Sequence, residues 1–133
     1  MAKLLWKPSE EQIKKTNMYR FMAGVNKKYN KTFTDYKELW QWSVDDISEF
    51  WAEMWAFAGI IASEPFDQVI DDVNKMPGAS WFSGARLNFA ENLLQYRDDH
   101  TALVFRGEDQ VNRRLTYAEL YDEVARVAKS LRS

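Results

Sequence analysis

Cysteine is absent from the 133 residues, which excludes disulfides, thiolate metal sites and a cysteine nucleophile together and points to a reducing compartment. Histidine occurs once. His100 sits in Asp98-Asp99-His100, where the spacing brings it no converging partners for a metal or general-base role, and it reads as a surface turn residue. Charge of one sign is not in excess either: 18 Lys and Arg stand against 20 Asp and Glu, a net charge of −2. A polyanion-binding footprint is therefore missing, and nucleic acid is not an expected partner. The longest apolar run, Trp55 to Ala62, is too short to cross a bilayer, and Met1 to Pro8 lacks the apolar region of a secretory signal. The expectation is a cytoplasmic protein with no membrane partner.

Recognisable catalytic arrangements are missing as well. The stretch Gly78-Ala79-Ser80-Trp81-Phe82-Ser83-Gly84 has glycines at its ends and Arg86 nearby, but aromatics fill its centre and no Lys-Ser/Thr follows a glycine. It reads as a packed loop, not a phosphate cradle. Each carboxylate cluster has a structural use: Asp45 and Asp46 at a helix start, Asp71 and Asp72 on a surface turn, Glu91 and Glu119 at capping positions. No catalytic, cofactor-binding or metal-ligating residue is assigned.

Aromatic side chains are plentiful. Six Trp, six Tyr and eight Phe occur in a chain that is 46% hydrophobic and 29% charged, so a sizeable core or interface is needed to cover them. Ser9 and Gln12 form a capping-box pattern after Pro8, and Met18, Phe21, Met22, Val25 and Tyr29 recur at helical spacing. One helix from about Ser9 to Tyr29 is expected, with Lys14, Lys15, Arg20, Lys27 and Lys28 on its solvated face. One or two helical turns follow between Thr34 and Trp42. Ser43-Val44-Asp45-Asp46 reads as the start of a third helix, with Trp42 stapling onto Ile47 and an apolar stripe from Ile47 through Phe50, Trp51, Met54, Trp55 and Ala58 to Ile61. Glu64-Pro65 closes it. Phe66 to Val73 is ambiguous between strand and helical turn, Pro77-Gly78 is a turn, and Trp81 to Arg86 is a loop.

Asn88, with Glu91 three residues on, opens a short helix ending near Tyr96. Thr101 to Arg106 and Val111 to Leu115 read as a hairpin around Gly107-Glu108-Asp109-Gln110. Thr116 and Glu119 then make a second capping box for a terminal helix, with Leu115 stapled to Leu120 and Asp122 paired with Arg126. That helix carries Tyr117, Leu120, Tyr121, Val124, Val127, Ala128 and Leu131 on one face, more apolar surface than a two-stranded hairpin covers. It runs to Ser133 with no helix stop signal, and the expectation is that these residues form the front of a larger protein.

Three strings carry a family resemblance. Trp6-Lys7-Pro8-Ser9, then Trp40-Gln41-Trp42-Ser43-Val44 with Phe50-Trp51, then Trp81-Phe82-Ser83-Gly84-Ala85-Arg86-Leu87-Asn88-Phe89-Ala90-Glu91-Asn92-Leu93-Leu94 resemble, in order and spacing, the N-terminal region of acetoacetyl-CoA synthetases. Thr101 to Glu108 and Leu115 to Leu120 are similar to the hairpin and helix that open the large domain of adenylate-forming enzymes. The resemblance implies an α+β, mainly helical fold: a helical N-terminal extension over residues 1–97, and over 98–133 the start of an AMP-binding domain. It also implies a parent enzyme that uses ATP with Mg2+ to adenylate a short keto acid, releases pyrophosphate and passes the acyl group to coenzyme A. The family's phosphate loop, ribose-binding Asp and catalytic Lys match no position here, so no cofactor is expected for this segment itself. Its expected partners are the remainder of the adenylate-forming domain and, through an unfinished sheet edge, another copy. Two alternatives stay open: a stand-alone Trp-rich helical interaction module, and the N-terminal segment of an acetyl- or propionyl-CoA synthetase.

Overall fold

The computed structural model describes residues 5–108 and 111–132, and is about 48% helical with two small antiparallel hairpins. The α+β, mainly helical expectation holds. The chain forms two compact units, Met1–Ile60 with Phe66–Gly84, and Ile61–Pro65 with Ala85–Ser133.

In the first unit, α1 (Glu10–Lys14) opens on the expected capping box: Ser9 N donates to Gln12 Oε1 at 2.8 Å, and Gln12 N to Ser9 Oγ at 3.3 Å. The single helix expected as far as Tyr29 is broken at Thr16. That residue is extended at ψ 150°, its hydroxyl donating back to the Ile13 carbonyl at 2.7 Å and accepting forward from Tyr19 N at 3.2 Å. One side chain thus ends α1 and caps α2 (Asn17–Tyr29). Lys14, Lys15, Arg20, Lys27 and Lys28 are exposed, as expected.

The third helix, α3 (Tyr36–Asp45), is longer than the one or two turns expected, because Asp35 caps it. Its carboxylate accepts from Glu38 N at 3.0 Å while Glu38 accepts from Thr34 N at 2.6 Å. The expected start at Ser43 is overturned: Ser43 lies inside α3 and donates its hydroxyl to the Trp40 carbonyl at 2.7 Å. The next helix, α4 (Ile47–Phe57), opens on Asp46, whose side chain makes no cap bond. It also ends before Glu64-Pro65. Gly59, at φ 64°, donates to the Ala56 carbonyl at 3.2 Å and Ile60 to the Trp55 carbonyl at 3.4 Å, the paired bonds of a Schellman stop.

Phe21 and Val25 of α2 and Leu39 and Trp42 of α3 form the buried core, with Met22, Tyr29, Phe33, Phe50 and Met54 packed on it. Trp42 meets Phe50 edge to face at 6.0 Å and Tyr29 at 5.4 Å. Burial of each such side chain contributes about 1.5–3 kcal/mol. Trp81 to Arg86 is not all loop. Trp81–Ser83 is a strand (β2) paired with Gln68–Ile70 (β1), Ile70 opposite Trp81 and Gln68 opposite Ser83. The pairing is between distant segments, which is why a three-residue aromatic string gave no strand signal.

In the second unit Asn88 caps α5 (Phe89–Leu93), accepting from Ala90 N and Glu91 N at 2.9 and 3.3 Å; the helix stops short of Tyr96. Strands β3 (Thr101–Arg106) and β4 (Asn112–Thr116) form the expected hairpin, with a register irregularity between Thr101 and Leu103. Two residues of its turn, 109 and 110, lie outside the described residues. The long α6 (Tyr117–Arg132) starts from the expected box: Glu119 N donates to Thr116 Oγ1 at 3.2 Å, and Thr116 N to Glu119 at 2.8 Å. Arg126 pairs with Glu123 at 3.1 Å, not with Asp122, and Arg113 of β4 reaches the same carboxylate at 3.1 Å, tying hairpin to helix.

Candidate functional site

Of the residues weighed for chemistry, His100, Asp71 and Glu119 are held in structural bonds, whereas Asp45 ends α3 instead of opening a helix and Asp46 makes no side-chain cap bond. His100 is exposed, its Nδ1 3.0 Å from the Asp98 carboxylate; the hydrogen bonds from His100 hold that carboxyl below its ordinary range. The carbonyls of the same two residues accept from Tyr117 N at 3.0 Å and Ala118 N at 3.1 Å, so Asp98 to His100 cap the first turn of α6. Asp71 is bonded by Lys75 at 2.6 Å and by Ser80 N at 2.8 Å, which lowers its pKa to about 2 and closes the loop between β1 and β2. Glu91 and Glu119 lie in the first turns of α5 and α6.

The 78–84 stretch was the nearest thing to an anion cradle, and its geometry opposes that use. Gly84 has φ 85°, and the space where its Cβ would stand is filled by the Asp67 carboxylate. A phosphate brought there would meet a negative charge in place of a donor. Among the described residues no group of three or more His, Cys, Asp or Glu is placed to hold a metal ion.

Sequence reasoning missed the side chains that clamp the backbone at long range. Asn92 accepts from Ile61 N and donates to the Ile61 carbonyl, both at 2.8 Å, across 31 positions. Asn26 makes the same two-way bond to Phe33, both at 2.9 Å, across the α2–α3 connection. Glu53 of α4 accepts from Tyr29 Oη at 3.2 Å and pairs with Lys28, joining α4 to α2. Its hydrogen bond raises the Lys28 pKa, while burial followed by the same carboxylate raises that of Tyr29. These groups satisfy one another.

What the second unit offers is apolar surface. Along α6, Val124, Val127 and Leu131 are 37%, 59% and 83% exposed and line one open groove with Glu123 and Ala128. Leu103, Val104 and Phe105 of β3 are half exposed or more. These side chains leave an exposed apolar face on α6, opposite its polar side.

Residues 36–93 match the family described as acetyl-coenzyme A synthetase N-terminus. Over 134 aligned positions the chain is 41% identical to an acetoacetyl-CoA synthetase of Xenopus tropicalis, taking in 98% of this chain and 20% of that protein. It is 36% identical over 137 positions to a malonamoyl-CoA synthetase of Penicillium aethiopicum, covering 98% of this chain and 19% of the other. The structure of acetoacetyl-CoA synthetase from Streptomyces lividans matches it with a TM-score of 0.83 at 34% identity, over 98% of this chain and 21% of that one. The chain is similar, over nearly its whole length, to the N-terminal regions of acyl-CoA synthetases. It spans about 20% of the length of these relatives. In this chain the Trp-Phe-Ser-Gly and Asn-Phe-Ala-Glu-Asn strings have structural work: a strand and a tight turn at Gly84, then the Asn88 cap and the Asn92 clamp.

Proposed function

We propose that this chain is the N-terminal structural segment of an ATP-dependent acetoacetate–CoA ligase, which joins acetoacetate to coenzyme A as ATP becomes AMP and pyrophosphate. The observation that carries the reading is the end-to-end likeness, in sequence and fold, to the first fifth of acetoacetyl-CoA synthetases. Residues 1–97 are the helical extension and 98–133 open the adenylate-forming domain. ATP, Mg2+ and coenzyme A are substrates and cation of the whole ligase, bound by parts beyond this segment. Alone, the segment is non-catalytic and binds neither nucleotide nor coenzyme A. Its partner is the remainder of the domain, its compartment the cytoplasm, and an isolated copy self-associates through the β3 edge, which carries fewer charges than β4.

The exposed stripe on α6 supports this reading over a finished interaction module, which would bury Tyr117, Leu120, Val124 and Leu131 in its own core; none of the four is buried. Acetoacetate is the acid named for the relatives at 41% and 34% identity, though a malonamoyl-CoA synthetase at 36% marks this region as compatible with another acyl group. Calorimetric titration of the chain with ATP–Mg2+ and with coenzyme A tests the inactive-segment half, with no heat of binding expected. Saturable ATP binding would overturn it. Sedimentation equilibrium tests the self-association, and a clean monomer at high concentration would count against it.

A further inference from the structure

The joint between β4 and α6 carries a pattern that the ligase reading does not use. Arg113-Arg114-Leu115-Thr116 sets guanidiniums three and two residues before a hydroxyl, and no other Ser or Thr of the chain has a basic residue at both of those positions. The strand presents it in extended form. β3 is the single ladder neighbour of β4 among the described residues, so the other edge of β4 is open. Arg113 and Arg114 are exposed, while Leu115, Thr116 and Tyr117 are half-buried. Arg113 meets Glu123 of α6 at 3.1 Å in a solvated pair that another carboxylate can replace. Arg114 stands opposite Val104 and has no ion pair among the described residues. The Thr116 hydroxyl is held by one residue only: it donates to Glu119 Oε2 at 3.1 Å and accepts from Glu119 N at 3.2 Å, and both bonds are exposed. Two backbone bonds, from Tyr117 N to the His100 carbonyl and from Ala118 N to the Asp98 carbonyl, complete the hold on this first turn. A few solvated bonds are the ones that local opening breaks first, so the turn can release Thr116 into the extended course of its own strand.

We propose that Thr116 is a phosphorylation site for a basophilic protein kinase, which recognises Arg113 and Arg114 through carboxylates of its own and uses ATP as phosphoryl donor. The Thr116 hydroxyl oxygen attacks the γ-phosphorus, the bond from that phosphorus to the β–γ bridging oxygen breaks, ADP leaves, and the hydroxyl proton passes to the kinase's general base. The product is a switch at the hairpin–helix joint. Phosphorylated Thr116 has no proton to give Glu119 and sets close to two negative charges beside that carboxylate. Glu119 is driven off, and Thr116 N loses the acceptor it now holds at 2.8 Å. The phosphate turns to Arg114, two residues back on the same face of β4, while the amides at the N-terminus of α6 favour its charge. A capping box is thereby exchanged for a phosphate–arginine pair.

The test incubates the whole 133-residue chain with ATP–Mg2+ and a purified kinase whose substrates carry arginines three and two residues before the acceptor. Tandem mass spectrometry should find the phosphoryl group on Thr116, and Thr116→Val should abolish it. Arg114→Ala, at an exposed residue with no ion pair, should slow labelling by about tenfold or more, the loss of one charge-assisted contact, with the circular dichroism of the parent retained. Carboxyl NMR reads the switch. Glu119 is held below the ordinary carboxylate range by the Thr116 amide and then its hydroxyl, and after phosphorylation it should titrate higher than in the parent. A synthetic peptide of residues 112–120 is the control for access. Labelling of the peptide with none of the folded chain would mean that the fold withholds the hydroxyl, and would overturn the site. So would no labelling of either, a label confined to other residues, or a rate indifferent to Arg114→Ala. A phosphorylated chain in which Glu119 titrates as in the parent would overturn the switch.

Discussion

Replacing Asn26 with Ala removes both bonds that hold the α2–α3 connection: Phe33 N to Asn26 Oδ1 and Asn26 Nδ2 to the Phe33 carbonyl, each 2.9 Å. Asn26 is half-buried, so water replaces them only in part. Two net bonds at about 0.5–1.5 kcal/mol each, offset by about 0.5 kcal/mol for the better helix propensity of Ala, leave a loss of about 0.5–2.5 kcal/mol, centred near 1.5. The central value corresponds to a Tm lower by roughly 3–8 °C. Asn26→Asp, a smaller change in shape, should cost more at pH 7, because a second acceptor then faces the Phe33 carbonyl where the amide donated. Only the protonated carboxyl can donate there, so folding raises its pKa. The stability it provides is then fully present below its unfolded value of about 3.9 and is lost as pH rises through the raised folded value. Urea unfolding of the three proteins at pH 4 and pH 7 checks both parts. The order at pH 7 should be parent, then Ala, then Asp, with the Asp variant closing on the parent at pH 4. An Ala variant within about 0.5 kcal/mol of the parent, or an Asp variant equal to it at pH 7, would refute the clamp.

Two smaller perturbations test other joints. Gly84→Ala should destabilise by about 1–2 kcal/mol for the left-handed backbone alone, with displacement of the Asp67 side chain added; a chemical-denaturation midpoint unchanged from the parent would count against the tight turn. Asp71, held at about 2 by Lys75 and Ser80, contributes stability that is present above the ordinary carboxylate range and lost as pH falls toward 2. Carboxyl NMR should place its titration midpoint near 2 in the parent and closer to an ordinary value once Lys75→Met and Ser80→Pro remove two of its three donors, the Asp72 amide remaining.

The parts of this fold that sequence made legible are those decided within one turn of chain. Ser9 with Gln12, Asn88 with its following amides and Thr116 with Glu119 all cap as read, because donor and acceptor sit two or three residues apart. Asp35 with Glu38 carried the same signal and lost to the more conspicuous Ser43-Val44-Asp45-Asp46, although a helix already begun at Tyr36 with Leu39 and Trp42 on its core face has no reason to stop at Ser43. Thr16 lacked a Glu or Gln three residues on, since Tyr19 stands there, and so left no box to find. The β1–β2 pairing and the Asn26 and Asn92 clamps were beyond such reading, since each depends on where distant backbone comes to lie. The family strings were legible as strings. Their physical content, a Gly84 turn closed over Asp67 and an Asn92 reaching Ile61, emerged only with the coordinates.

The proposed role of this chain as the front of an acetoacetate–CoA ligase is tested by AMP release from a chimera in which the chain replaces the matched 21% of the Streptomyces lividans enzyme. With ATP–Mg2+ and coenzyme A supplied, AMP should form when acetoacetate is added and should not form from the 133-residue chain alone. A folded chimera that releases no AMP, or an isolated chain that does, would contradict the account.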